Sequence, residues 1–180
     1  MTAPVRYPGR TRVFHWVTAA LVFTALLVGF TMVNSLRSYA ALVGMHMTLG
    51  ITILLITVAR AANRLTHRTP PLPETVGRLE HRLVVGSELA MYGLLLVQPL
   101  IGWAMESAAG RPVVVFATLR LPSIAPFDEH LYFILRQTHS VLAYLLVAAI
   151  AAHVSAVLLH TLTLRDRMLA RVTFGGNRLR

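Results

Sequence analysis

The sequence contains no cysteine and no lysine, and it has only seven acidic residues among 180. Without cysteine, the chain cannot form disulfide bonds, iron–sulfur clusters or thiolate metal sites. A bound metal or haem would need His, Met, Tyr or carboxylate ligands. Charged residues make up 13% of the chain and hydrophobic residues 56%. Such a sequence has too little polar surface for a soluble domain of this size.

All 17 basic residues are arginines, and with the seven acidic residues they give a net charge of +10. An excess of this size could indicate nucleic-acid binding. However, the arginines lie mostly between hydrophobic blocks and form no basic face interleaved with aromatic residues. We therefore predict that the chain lies in membrane lipid and has no nucleic-acid partner.

Four hydrophobic blocks are each long enough to cross a hydrocarbon core of about 30 Å. Lipid offers no hydrogen bonds to the backbone, and the blocks lack the alternation of a membrane β-barrel, so they should be helices. The first block is too long for a cleaved signal peptide and is expected to be retained. We predict an all-α fold, a membrane four-helix bundle forming one domain over residues 1–180. The predicted helices span about 13–33, 39–62, 83–105 and 133–162.

Most arginines fall in the N-terminal segment, the connection between the second and third blocks, and the C-terminal tail. With four spans, these three segments share one side of the membrane. The positive-inside rule then predicts that both termini are cytoplasmic. The opposite side carries only Arg37, Arg111, Arg120 and Arg136. The long third connection on that side contains three prolines and is expected to lie at the interface without a long helix.

Five of the eight histidines belong to the hydrophobic blocks: His15, His46, His139, His153 and His160. An ionisable group within a membrane span is costly and usually has a function. The other three, His67, His81 and His130, fall in the connections and are expected to be surface residues.

Four of these histidines are predicted to form two pairs at different depths. His139 and His153 are separated by 14 residues, which places them about 21 Å apart along one helix and within about 40° of the same face. His46 should match His139 in depth, and His15 should match His153. His160 lies near the end of its block, where an interfacial position is expected, although it could compete as a ligand.

Two pairs of imidazoles on facing helices suit two haems, each with an axial ligand on both faces of the ring. An iron with both axial positions filled has no open site for oxygen, which favours electron transfer over oxygen activation. Small residues near the histidines, Gly29, Gly44 and Gly50, would let a ring approach the backbone. A single histidine could instead be a hydrogen-bonded core residue. A zinc or copper site is disfavoured because His139 and His153 are too far apart to share one ion.

Four segments resemble the bacterial cytochrome b561 family: "YPGRTRVFHW", "GMHMTLGITILLITVARAANRL", "MYGLLLVQPLIGWAM" and "QTHSVLAYLLVAAIAAHVSAVLLH". The resemblance covers nearly the whole chain and implies two non-covalent haems b in the bacterial inner membrane, with electrons exchanged with ubiquinone. By position, His15 and His153 would ligate the cytoplasmic haem, and His46 and His139 the periplasmic haem. One similar family member is a superoxide oxidase, which suggests superoxide oxidation at the periplasmic face.

The chain departs from the family pattern at Glu88, four residues before Tyr92, where family members commonly have a histidine. This carboxylate could relay protons for quinone chemistry, pair with a cytoplasmic arginine, or extend to the interface. The quinone site is therefore unassigned, and no catalytic residue is predicted.

Two other functions are compatible with the sequence. The chain could be a haem-bearing anchor that relays electrons between a partner dehydrogenase or periplasmic redox protein and the quinone pool. It could also be a haem-free transporter that uses buried histidines for protons or metal ions. In the haem interpretation, Arg12, Arg60 and Arg136 could pair with propionates. The four arginines of the outer side could attract an anion such as superoxide.

Overall fold

Four long α-helices account for most of the computed structural model, which describes residues 7–66, 77–163, 169, 172 and 173. The helices are α1 (Gly9–Met32), α2 (Tyr39–Thr66), α3 (Arg78–Ala108) and α4 (Glu129–Leu158). A π-helical turn, Leu159–Thr163, continues α4. Each helix is long and apolar enough to cross a membrane. The predicted helical membrane fold is therefore confirmed.

The helices extend beyond the hydrophobic blocks from which they were predicted. For example, α3 begins at Arg78, whereas the block begins at about Leu83. Hydropathy marks only the apolar part of a helix. Arginine and glutamate are good helix formers, so the polar residues beside the block continue the helix.

The helices pack in chain order, α1 against α2, α2 against α3 and α3 against α4, while α4 approaches α1 and α2 only sparsely. All four helices contribute to one central buried cluster, formed by Val22, Ala25, Ile53, Leu95 and Leu146. Most other apolar side chains on the helices point outwards, as expected for a bundle whose outer surface faces lipid.

The two ends of the bundle differ in structure. At the end where α1 begins and α4 finishes, here called the termini side, Arg12 Nη1 donates to the carbonyl of Thr173 and Trp16 Nε1 donates to that of Val172, both at 3.0 Å. These contacts hold a short C-terminal stretch against the start of α1.

The opposite end, here called the hairpin side, carries a two-stranded antiparallel hairpin of β1 (Val114–Val115) and β2 (Leu119–Arg120). Val115 is completely buried, and with Val113 it packs against Ile51 of α2. As its prolines predicted, the connection contains no long helix. It folds back over the ends of α2 and α3 and covers part of the bundle.

Several sequence predictions lie outside the described residues. These are the surface position of His67 and the cytoplasmic positions of seven arginines in the N-terminal segment, the connection between α2 and α3, and the C-terminal tail, at positions 6, 68, 165, 167, 171, 178 and 180.

Candidate functional site

The structure brings the four predicted histidines together as two pairs, one at each end of the bundle. On the hairpin side, the rings of His46 on α2 and His139 on α4 have centres 6.2 Å apart and planes at 80°. On the termini side, the rings of His15 on α1 and His153 on α4 have centres 6.5 Å apart and planes at 56°. The pairing expected from helix depth is therefore the pairing observed.

This separation suits a metal between the two rings of each pair. An imidazole binds a metal at about 2 Å, and the ring centre lies roughly 1 Å beyond the nitrogen, so two rings on opposite sides of one ion have centres about 6 Å apart. The observed separations of 6.2 and 6.5 Å are close to that value.

One imidazole is fixed in the orientation that metal binding requires. Nδ1 of His46 lies 3.0 Å from the backbone carbonyl of Ala25 on α1. A carbonyl can only accept, so Nδ1 carries the proton and Nε2 keeps its lone pair. Histidine ligands to metals commonly have their second nitrogen held by a carbonyl in this way.

Two glycines let the neighbouring helices approach the hairpin-side imidazoles. A Cβ atom at Gly29 of α1 would lie 3.1 Å from Cε1 and 3.4 Å from Nδ1 of His46. A Cβ atom at Gly102 of α3 would lie at the same two distances from the corresponding atoms of His139. Any side chain larger than hydrogen at either position would press on a ring.

A cavity of about 300 Å³ adjoins the hairpin-side pair. Its wall is largely apolar, with contributions from all four helices, and it includes both imidazoles. The polar lining consists of Gln98, Glu106, Arg111, Tyr132, Arg136, Ser140, Tyr39 and Tyr144. An apolar pocket with a few polar groups is typical of a cofactor site.

An arginine without a carboxylate partner lies beside each histidine pair within the described part of the chain. Arg136 is one turn before His139 and lines the cavity. Arg60 acts electrostatically on both His15 and His153, and its guanidinium lies 5.3 Å from the ring centre of Tyr92. Both cations are therefore available for an anionic group.

An ion pair on the hairpin side, between the exposed Arg111 and the buried Glu106, was not predicted from the sequence. Arg111 forms a bidentate contact with Glu106, in which Nε and Nη2 donate to the two carboxylate oxygens at 2.7 and 2.9 Å. Its guanidinium also lies 5.2 Å from the ring centre of Tyr132. The hydrogen bonds to Glu106 raise the pKa of Arg111 above its ordinary value, so this arginine stays charged. Glu106 neutralises one of the four outer arginines.

On the termini side, Glu88 forms an ion pair with Arg64 of α2. Of the roles considered for this carboxylate, the structure thus displays pairing with an arginine. His160 lies 3.2 Å from Glu80, at the start of α3, and does not join either histidine pair. His81 and His130 are exposed, as predicted.

A comparison of the sequence with known protein families supports the same interpretation. The profile of the family described as prokaryotic cytochrome b561 matches residues 6–175, nearly the whole chain. The chain belongs to the prokaryotic cytochrome b561 family. The resemblance noted from the four sequence segments is therefore confirmed.

Two curated relatives are similar to this cytochrome b561 protein at low identity. "Probable superoxide oxidase CybB" of Yersinia pestis is 29% identical over 163 residues, covering 88% of this chain and 90% of that protein. "Cytochrome b561 homolog 2" of Escherichia coli strain K12 is 29% identical over 126 residues, covering 67% of this chain and 65% of that protein.

Cytochrome b561 proteins are membrane electron-transfer haem proteins, and membership of the family implies binding of haem b. The observed residues fit this group, because the paired imidazoles leave room for an iron and the glycines admit a close approach. Within the described residues, no three His, Asp or Glu side chains cluster as they would around a discrete metal ion. Two imidazoles alone therefore suit a haem iron, because the porphyrin provides its other ligands.

The sequence did not reveal every residue of this site. Of the three glycines proposed to accommodate a ring, Gly29 contacts His46 and Gly50 lines the cavity. Apart from its own helix backbone, Gly44 has no described residue within 4 Å of the position that a Cβ atom would take. Gly102 was missed, although it ends the "PLIG" stretch of α3, three residues after Pro99. Glu106 could have been suspected as the acidic residue that closes an otherwise apolar helix.

Proposed function

We propose that this cytochrome b561 protein binds two haems b, one at each histidine pair, and transfers electrons from superoxide to ubiquinone. The main support is the placement of two histidine pairs at opposite ends of one bundle. Since α4 contributes one histidine to each pair, 14 residues apart, the two sites are about 21 Å apart along the helix. Two redox sites so arranged would connect the two faces of a membrane.

The residues around each pair have distinct roles in this proposal. His46 and His139 would hold the hairpin-side haem, and His15 and His153 the termini-side haem. Once bound, haem would supply one-electron redox chemistry, and the two imidazoles of each pair would hold it. Arg136 and Arg60 would neutralise propionates at the two levels.

The proposed orientation has both termini in the cytoplasm and the hairpin side in the periplasm. It rests on the arginine distribution of the sequence, because cytoplasmic connections are enriched in arginine and lysine. The hairpin-side haem would then be the periplasmic one, and the protein would lie in the inner membrane of a bacterium.

Superoxide is proposed as the donor because the relative from Yersinia pestis bears the name of a superoxide oxidase. Two superoxide anions would each lose one electron and leave as oxygen. Ubiquinone would gain those two electrons and two protons to become ubiquinol. On the hairpin side, Arg37, Arg120 and Arg136 are exposed and have no carboxylate partner among the described residues. Their positive field would attract the anion.

Haem quantification tests the ligand assignment. The wild-type protein should contain two b haems per chain, and each of His15→Ala, His46→Ala, His139→Ala and His153→Ala should contain one. The exposed residues His81 and His130 provide controls, since their alanine variants should keep both haems. If one of the four variants keeps both haems, that histidine is not a ligand.

A kinetic assay with the purified protein tests the donor and acceptor. Superoxide should reduce a soluble ubiquinone through the wild-type protein, with a second-order rate that falls as the salt concentration rises. Replacing Arg37 and Arg120, the two exposed arginines that are not assigned to a propionate, by glutamine should lower this rate and flatten its salt dependence. A haem-loaded protein that is inactive until a partner is added would instead be an electron relay. A protein without haem would support the transporter alternative.

A further inference from the structure

The surroundings of the two hairpin-side imidazoles repeat each other. For His46, the contact residue is Gly29, and the carbonyl of the residue four positions earlier, Ala25, accepts the Nδ1 proton at 3.0 Å. Four residues are about one helical turn, so Gly29 and Ala25 lie one above the other on the same face of α1. The imidazole is thus held from one helix face by a hydrogen bond and a close contact.

His139 meets the same arrangement on α3, with one difference. Gly102 contacts its ring at the same distances, and the backbone carbonyl of Gln98, four residues earlier, approaches the same ring. Yet Nδ1 of His139 is buried and has no hydrogen-bond partner of acceptable geometry in the described part of the chain. The residue equivalent to Ala25 is therefore a glutamine, and its carbonyl approaches His139 without the good hydrogen-bond geometry that the carbonyl of Ala25 has at His46.

The side chain of Gln98 offers a second acceptor beside that carbonyl. Its Nε2 donates to the backbone carbonyl of His139 at 3.0 Å, which attaches the amide group to that residue. The same contact excludes the flipped amide, because Oε1 would then face another oxygen. In the observed orientation Oε1 is buried and, like Nδ1 of His139, has no partner among the described residues. One unpaired acceptor and one unpaired donor thus lie beside the same histidine.

We propose that Gln98 is a positioning residue for His139, and that its Oε1 accepts the Nδ1 proton either directly or through one bridging water. The bond would hold the ring with Nε2 directed away from α3, as the bond to Ala25 does for His46. This inference rests on the proposed function, in which Nε2 of His139 is an iron ligand.

A hydrogen bond at the second nitrogen makes an imidazole a stronger electron donor to its metal. Stronger donation favours the oxidised iron, so loss of the bond should raise the potential of the hairpin-side haem. The termini-side haem, held by other residues, is an internal control in the same protein.

The test is a redox titration of the full-length, haem-loaded protein with Gln98→Leu and Gln98→Glu. His46→Ala first identifies which spectral component belongs to the hairpin-side pair. Gln98→Leu removes the side-chain acceptor, leaves the backbone carbonyl in place, and should raise the midpoint potential of that component only. Gln98→Glu, protonated on the oxygen that faces the carbonyl of His139, keeps both a donor and an acceptor oxygen and should leave that potential at or below the wild-type value.

The outcomes distinguish this inference from the proposed function. A wild-type protein that lacks the hairpin-side haem contradicts both. Two haems in the wild type with an unchanged potential in Gln98→Leu contradict the role of Gln98 alone. If Gln98→Leu loses the hairpin-side haem, retention in Gln98→Glu at or below the wild-type potential supports the inference, and loss or a raised potential there contradicts it.

Discussion

Single glycines determine how closely α1 and α3 can approach the hairpin-side imidazoles. Replacing Gly29 or Gly102 by alanine would place a methyl group 3.1 Å from a ring carbon, closer than ordinary van der Waals contact. The ring or the helix would have to move by a few tenths of an ångström. Overpacking of this kind typically costs about 1–3 kcal/mol.

We therefore predict that Gly29→Ala and Gly102→Ala lose the hairpin-side haem or alter its low-spin spectrum. The termini-side haem should be unchanged. Haem content and electron paramagnetic resonance of the oxidised protein measure both effects. Gly44→Ala and Gly93→Ala are matched controls, because no atom of the described residues, apart from the helix's own backbone, lies within 4 Å of the added methyl group. Equal spectra for all four variants would contradict the importance of these close contacts.

At the residue scale, the sequence predicted the histidine pairs better than their surroundings. Membrane helices have a regular rise, so the depths of His139 and His153 could be calculated from their spacing alone. Which glycine faces which ring depends on how each helix is rotated about its axis. Helices that are apolar all round contain little information about that rotation, so Gly44 was predicted and Gly102 was not.

The connection between α3 and α4 is the least regular element of the molecule, and an ion pair helps to hold it. Arg111 lies just after α3, and its guanidinium binds Glu106 with two hydrogen bonds and stacks on Tyr132 of α4. Glu106 is mostly buried, so weakening its contact with Arg111 is expected to cost more than loss of a surface ion pair.

We predict that Arg111→Lys lowers the free energy of unfolding by about 1–2 kcal/mol, because lysine cannot reproduce the bidentate contact with Glu106 or the stacking on Tyr132. Thermal unfolding in detergent measures the change. Arg120→Lys is the matched control, since Arg120 is exposed in the same connection and forms no ion pair among the described residues. Equal melting temperatures for the two variants would show that the Glu106 contact contributes little.

At the element scale, hydrophobicity predicted the four helices but not the hairpin. Within lipid the backbone N–H and C=O groups must bond to each other, so a long apolar block without strand alternation forms a helix. In contrast, strands of two residues have no periodic pattern that a sequence could reveal. The hairpin is held by burial of Val113 and Val115 against α2, a tertiary contact. Its turn even places Phe116 and Ala117 at positive φ, where glycine would have been expected.

At the scale of the whole molecule, the absence of cysteine provides a direct test of orientation. A single cysteine can be introduced at Ser38 on the hairpin side or at Gly77 on the termini side without background labelling. In intact spheroplasts, a membrane-impermeant maleimide should label Ser38→Cys. It should label Gly77→Cys only after the membrane is permeabilised. The reverse pattern would place the termini in the periplasm.

The membrane bundle and the family could both be recognised from the sequence, because composition, block length and histidine spacing each restrict the fold strongly. The electron donor and the quinone site could not be. They depend on surface charge and on side-chain contacts between helices. The pairing of Glu88 with Arg64, for example, joins residues 24 positions apart on different helices.

Because α4 supplies one imidazole to each pair, the number of residues between His139 and His153 sets the distance between the two pairs and their relative direction. Substitutions in this segment keep that number, but each residue inserted or deleted there would turn one imidazole by about 100° relative to the other and shift it by about 1.5 Å. Changes of residue type in this segment therefore preserve the spacing of the two imidazoles, while its length of about four turns should be held constant.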